Sequence, residues 1–341
     1  MSRMMVRTFH PVEIVGCGSY VPEKVVTNHD LEALMNTSDT WIVERTGIRQ
    51  RHIARDDQAL SDLAIPAARQ ALAHAGISAS EIDLIIVGTS TPDMLMPATS
   101  ALVQHAIGAT RAAVFDMEAA CTGFVQAFIV AQQFLMTGMY RKALVIGGDL
   151  LSKFTNFSDR GTGMLFGDGA GAVVLSSGGQ DAILSNLMGA DGSGADLITI
   201  PIGSRVPPSG ERADSGGHHV TMKGREVYKF ALERVPPAIQ EAARLAGLEL
   251  SEIDHFLMHQ ANARIIEAVA KRLGLPMEKM IVNIDMRANT SAGTVPIALA
   301  ESAHSGRIKA GDTVLMVGFG SGLTWAASVI RWTAAPYSQE D

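Results

Sequence analysis

The chain is short of the residues that mark several protein classes. It has two cysteines, Cys17 and Cys121, in 341 residues. That is too few for a disulfide framework or a four-cysteine metal centre. Aromatic residues make up 5% and charged residues 18%, and no uncharged apolar run reaches the roughly 18 residues of a membrane-spanning helix. Basic residues are outnumbered, 28 against 35, and a net charge of −7 speaks against a general nucleic-acid binder. Met1 to His10 holds no apolar stretch of signal-peptide length. The expectation is a soluble, cytoplasmic α/β protein in a reducing compartment. What the chain does have is 47% hydrophobic residues, enough to bury a large core without cross-links.

The sequence is built twice. An alanine-rich helical segment, Ala67 to Gly76, is followed by Ser80-Glu81-Ile82-Asp83 and the apolar run Leu84 to Val87. The same order returns at an offset of 171, as Ala238 to Gly247, Ser251-Glu252-Ile253-Asp254 and Phe256-Leu257-Met258. Ala143 to Gly147 and Val314 to Gly318 match at that same offset. Each unit reads as helix, glycine stop, acidic turn and buried strand. Two similar α/β halves follow, residues 10–178 and 179–334, joined near Ser176-Ser177-Gly178-Gly179-Gln180. Gly203 to His218 reads as a surface loop near a site, and the tail from Ala335 to Asp341 as frayed.

Cys121 precedes a strongly apolar helical stretch, where the positive end of the helix dipole favours a thiolate. A lone cysteine is as readily a small packed hydrophobe. Cys17, between Gly16 and Gly18, is read as packing, and His52, His74 and His304 as solvated. His259 ends a predicted buried strand, where open α/β sheets place their ligands. Asn289 lies in a small-residue loop, alone a good helix cap, but the repeat offset matches it to position 118. Its loop is therefore the counterpart of the Cys121 loop, and a pseudo-twofold lets Cys121, His259 and Asn289 converge.

Phe166 to Ala172 and Gly318 to Gly322 have alternating glycines but neither a dinucleotide nor a P-loop pattern. They read as close backbone approaches or exposed amide donors. The order Cys, His, Asn also fits a papain-like protease, yet the local sequence around Cys121 does not.

The same segments resemble β-ketoacyl-acyl carrier protein synthase III, a condensing-enzyme family of the thiolase superfamily. The resemblance runs from about Val12 to Trp332. It rests on Asn36 to Ile48, the Cys121 segment, Asp159-Arg160-Gly161-Thr162, Phe166 to Gly171, His259-Gln260-Ala261-Asn262, Asn289-Thr290-Ser291 and Gly320 to Trp325. It implies a thiolase-like fold, a duplicated five-layer αβαβα arrangement of two pseudo-twofold halves, and a homodimer. It implies an acyltransferase in which Cys121 takes an acyl group from acyl-CoA and condenses it with malonyl-acyl carrier protein, initiating fatty-acid biosynthesis. His259 and Asn289 would stabilise the enolate, and the backbone N–H groups of Cys121 and Ser321 the thioester oxyanion. Thr37, Trp41, Arg45, Arg160, Gly224 and Asn262 match CoA-binding positions. Met96 and Leu323 match acyl-pocket positions where phenylalanine is common; the flexible Met96 leads to the expectation of primers longer than acetyl, and Leu323 carries no stated consequence. Lys223, Arg225, Lys229, Arg264, Lys271 and Arg272 form a candidate carrier-protein patch, with ordinary solvated charge as the alternative. No cofactor or metal is implied, acyl-CoA being a substrate, and no nucleic acid or membrane partner. A secondary-metabolite starter enzyme of alkylquinolone or polyketide type carries the same Cys-His-Asn set; a non-catalytic carrier-binding scaffold would have lost part of it.

Overall fold

The computed structural model describes residues 9–201, 203 and 218–337. Two five-stranded sheets organise it. The first holds β1 (Val12–Tyr20), β2 (Leu84–Gly88), β3 (Ala113–Met117), β4 (Lys142–Leu150) and β5 (Asp168–Ser177), in spatial order β1-β5-β4-β2-β3. The second holds β6 (Ile183–Ala190), β7 (His255–Met258), β8 (Met280–Ile281), β9 (Thr313–Gly320) and β10 (Thr324–Arg331), in spatial order β6-β10-β9-β7-β8. The two orders are the same. In the first sheet β2 runs parallel to β3 and β4, and β5 antiparallel to β4 and β1. The second repeats that pattern of directions. Even the register repeats, with Ile86 opposite Val145 and, at the repeat offset, Leu257 opposite Met316.

The sheets are connected and covered by helices α1 (Asp39–Thr46), α2 (Leu60–Ala75), α3 (Thr99–Ile107), α4 (Gly123–Met136), α5 (Gly224–Leu245), α6 (Ala263–Leu273) and α7 (Thr294–His304). The expected glycine stop after α2 is Gly76, in the left-handed region at φ 64°. Helix α4 is apolar on nearly every side, as a helix buried all round must be. With α7 it fills the space between the sheets, where Phe124, Phe128 and Leu299 meet Val145 and Met316. Helix α2 covers the outer face of the first sheet through Leu63, Ala67 and Ala71. Helices α5 and α6 cover the outer face of the second through Ile239 and Ile266. The result is the five-layer αβαβα stack.

Glycines let the central helices start directly on the strands. A Cβ on Gly88 would lie 2.4 Å from the carbonyl carbon of Gly123, and one on Gly147 2.5 Å from Ala292 O. Residues of the first half thus touch the loop of the second at Ala292, while Gly318 of the second half abuts Thr122 of the first.

Four readings need correction. Ser176 and Ser177 complete β5, so the crossing between sheets runs through 178–182. His52 is buried, with Nδ1 2.6 Å from Pro22 O and Nε2 2.7 Å from Arg287 Nη1, because its strand folds under the 284–287 turn. His74 and His304 are not free in solvent but turned onto Cys17. The tail is anchored as far as Tyr337, which stacks on His304 at 3.8 Å. Of the proposed surface loop Gly203 to His218, residues 204–217 lie outside the described residues.

Candidate active site

The parallel strands β2, β3, β7 and β9 all end at one cavity of about 510 Å³. This is where the loops of an open α/β sheet gather ligands. Cys121, His259 and Asn289 line it together, with Gly224, Asn262 and Ser321.

Cys121 lies in the 3-10 turn Ala120–Thr122, which runs directly into α4. Its Sγ accepts a hydrogen bond from Ser291 Oγ at 3.4 Å. The sequence suggests a thiolate held by the helix dipole. Here burial dominates and pushes the thiol up to about 12, with the Asp149 charge adding and the Ser291 hydroxyl opposing. The resting group is therefore a thiol, and it needs a base.

His259 supplies a neutral ring. Burial depresses it to about 3, and Phe319 packs edge-on against it at 5.2 Å. Its Nδ1 lies 2.7 Å from Thr294 Oγ1, which is also 2.9 Å from Ser291 O. The Thr294 hydroxyl has a single proton for these two acceptors. When it donates to Ser291 O, His259 keeps its proton on Nδ1 and Nε2 is a base. When it donates to Nδ1, Nε2–H becomes a donor.

Asn289 is oriented by its own turn. Its Oδ1 accepts the Ser291 N–H at 2.9 Å, which directs the remaining polar group, an amide NH₂, away from that bond. The backbone N–H groups of Cys121 and Ser321 meet no carbonyl or side-chain acceptor among the described residues. Gly320 makes their proximity possible, since a Cβ there would lie 2.8 Å from Cys121 Cβ and 3.0 Å from its Sγ.

Asp149, at the end of β4, joins the loops of the two halves. It is fully buried and accepts from Thr89 Oγ1, Ser90 N–H, and both the N–H and Oγ1 of Thr91, at 2.8–3.0 Å. Its other oxygen accepts the Ala292 N–H at 3.1 Å. Sequence reading missed Asp149, Thr294 and Ser291 as site residues. The signal was a carboxylate closing an apolar strand and two hydroxyls following Asn289.

Toward the surface, two guanidinium groups approach the ring of Trp41 in α1, Arg160 at 3.6 Å and Arg45 at 5.5 Å from the ring centre. Asn262 caps α6 through Arg264 N–H and donates to Arg45 O at 3.0 Å, joining this cluster to the cavity. Thr37 Oγ1 is buried without a partner among the described residues. A Cβ on Gly224 would meet only Met222 Cε, at 3.6 Å, so open space adjoins it. Leu323 does not line the cavity; it packs in the core against Gly194. Met96 is 82% exposed beside Leu95, outside the cavity wall of this chain. Of the basic residues, Lys223 pairs with Asp196 and Lys229 with Glu233. Arg272 donates to Leu232 O, and Arg225, Arg264 and Lys271 are exposed without an ion pair among the described residues. No helix of the described residues is long and apolar enough to cross a membrane.

Two family models match, the C-terminal model of 3-oxoacyl-[acyl-carrier-protein] synthase III over residues 243–332 and the 3-oxoacyl-[acyl-carrier-protein] synthase III model over residues 115–192. A β-ketoacyl-[acyl-carrier-protein] synthase III of Symbiobacterium thermophilum is 51% identical, with 94% of this chain and 98% of that protein covered. The Thermus thermophilus synthase III structure superposes with a TM-score of 0.89 at 43% identity, covering 95% of this chain and 100% of that one. The priming β-ketosynthase of a polyketide pathway superposes at 0.93 with 33% identity, covering 98% and 100%. Half the residues shared with a relative along almost its whole length, on the same five-layer fold, place this chain in the β-ketoacyl-[acyl-carrier-protein] synthase III family.

Proposed function

We propose that this protein joins an acyl-CoA primer to malonyl-acyl carrier protein by decarboxylative Claisen condensation, initiating fatty-acid synthesis. The observation that carries the reading is the convergence of Cys121, His259 and Asn289 on one cavity wall beside two unengaged backbone N–H groups.

Cys121 sulfur attacks the thioester carbon of acyl-CoA as its proton passes to His259 Nε2. The tetrahedral oxyanion meets the N–H groups of Cys121 and Ser321, and its collapse expels CoA, which leaves with the proton as a thiol. Malonyl-acyl carrier protein then enters. Its carboxylate carbon–carbon bond breaks, carbon dioxide departs, and the electron pair forms an enolate. His259, now donating through Nε2–H, and the Asn289 amide hold the enolate oxygen. A carboxylate at either position would oppose that charge. The enolate carbon attacks the acyl-cysteine, and the thiolate leaves to be reprotonated.

The Trp41, Arg45 and Arg160 cluster suits a stacked, anionic nucleotide, with Thr37, Asn262 and Gly224 along the pantetheine path. Arg225, Arg264 and Lys271 suit an acidic carrier protein, with Lys223, Lys229 and Arg272 beside them. Exposed Leu95 and Met96 next to the edge strand β3 suit a homodimer contact, where Met96 would reach the partner's acyl pocket. The duplicated units divide near residue 178. No cofactor is needed for the steps above. The polyketide-priming reading rests on the second superposition, but sequence identity favours the fatty-acid enzyme, 51% against 33%.

The test is intact-protein mass after incubation with acetyl-, butyryl-, octanoyl- and benzoyl-CoA, beside Cys121→Ala. One acyl adduct, absent from the variant, is expected, with butyryl accepted as well as acetyl. Preference for longer or aromatic primers would favour the specialised pathway, and no adduct from any donor on folded protein would overturn the acyl-enzyme mechanism.

A further inference from the structure

A second group of reactive side chains lies far from the cavity, at the outer edge of β1. Among the described residues strand β1 pairs only with β5, so the backbone groups on its other side have side chains, not a strand, as partners. A Cβ on Gly16 would lie 2.4 Å from Ala71 O, so α2 rests directly on the strand and delivers His74. His74 Nδ1 lies 3.4 Å from Cys17 Sγ and His304 Nε2 lies 3.6 Å from it. The three ligating atoms fall within 4.8 Å of one another. The Cys17 N–H donates to His74 Nδ1 at 3.2 Å, and the opposite nitrogen, Nε2, donates to Ala335 O at 2.8 Å. The Nδ1 that faces the sulfur thus has a carbonyl behind its ring, and a cation would take its lone pair from the Cys17 N–H. Metal-binding histidines are held in this way.

We propose that Cys17, His74 and His304 form a three-ligand site for a thiophilic divalent cation of the zinc class, with a fourth position for water. Metal–sulfur and metal–nitrogen bonds of about 2.3 Å and 2.0–2.1 Å at tetrahedral angles set sulfur–nitrogen separations near 3.5 Å. The observed contacts bracket that value before any ligand moves. The cation would bind the Cys17 thiolate, the thiol proton leaving to solvent. His304 Nε2–H now donates to Cys17 O at 3.2 Å, so metal binding moves the His304 proton to Nδ1. Because Ala335 and Tyr337 rest on the two rings, the cation would also fasten the C-terminal segment.

Sulfur and two imidazoles exclude magnesium and calcium, which take oxygen ligands. The competing arrangement is that the rings do no more than satisfy the backbone of an edge strand.

The test uses the full chain, stripped with chelator and titrated with cobalt(II), then with zinc(II) in competition. One cobalt per chain with a thiolate-to-metal charge-transfer band is expected, lost in Cys17→Ser and kept in Cys121→Ser. His304→Asn, at a half-exposed ring, should weaken binding by more than the roughly tenfold typical of a lost supporting contact, and it carries the test if Cys17→Ser does not fold. Absence of the band, a band that follows Cys121, or unchanged affinity in His304→Asn means edge capping only and overturns the proposal.

Discussion

Ala120 and Ser291 are counterparts in the two halves and share a left-handed backbone, at φ 47° and 51°. Each opens a 3-10 turn that leads straight into a central helix, α4 or α7. Non-glycine residues reach this region at a cost of about 1 kcal/mol or more. The duplicated fold therefore places the same strained turn on both sides of the nucleophile. In one copy the following residue is Cys121, and in the other it is Ala292.

Ser291→Gly separates strain from chemistry. It removes the φ penalty and the hydroxyl on Cys121 Sγ together. Stability should stay within about 1 kcal/mol of the parent, while acylation slows roughly fivefold to tenfold, as loss of one such bond implies. Urea midpoints and single-turnover acylation, measured on the same preparation, check both halves; a faster variant would contradict the role given to the hydroxyl.

Gly320→Ala pushes a methyl group into the nucleophile. With its Cβ 2.8 Å from that of Cys121 and 3.0 Å from the sulfur, one side must give way, and a misplacement of the sulfur by about 1 Å costs about a hundredfold in rate. Acyl adduct formation should collapse while the circular dichroism spectrum is preserved. Retained acylation would show that the loop yields freely.

Asp149→Asn leaves the Ala292 N–H facing either an amide NH₂ or, after a flip, places that NH₂ against Thr89 and Thr91. At least one buried donor loses its acceptor in either case, and after the flip the Ser90 and Thr91 N–H groups both do. A loss of roughly 1–3 kcal/mol is expected, together with slower acylation because the 291–292 turn is released. Full activity at lowered stability would confine Asp149 to structure.

His259 ties stability to pH. Its ordinary value of 6.5 in the unfolded chain falls to about 3 in the fold. Between those values the unfolded state binds a proton that the folded state refuses. Its contribution is present above pH 6.5 and is lost as pH falls toward 3. His52 and His304, both lowered by burial, act in the same direction. Urea midpoints at about pH 7.5 and about pH 5 should differ less in His259→Asn than in the parent; equal slopes would mean the ring is charged when buried.

Much of this was legible in the sequence because the repeat made it so. The repeat offset located the strands Leu84–Gly88 and His255–Met258, and it set Asn289 opposite the Cys121 loop. Asp149 and Thr294 were not legible, since each acts through partners distant in sequence, Ala292 for the first and His259 for the second. Cys17, His74 and His304 looked unrelated for the same reason. Only the packing of α2 and α7 on β1 brings residues 17, 74 and 304 to one point. The thiolate expectation failed on magnitude, because a helix terminus is a small effect beside the burial of the thiol.

The capped side of β1 also limits how copies of this chain can add to one another. Thr333 Oγ1 accepts from Ile14 N–H and donates to Ile14 O, Gln70 accepts the Ser19 N–H, and the two histidines take the polar groups of Cys17. One end of the first sheet is stoppered by side chains, and the other, β3, is not paired beyond β2 among the described residues. A second copy can extend the sheet only at β3, edge to like edge about a twofold axis, after which both outer ends are stoppered. Growth along that sheet would then close at two subunits.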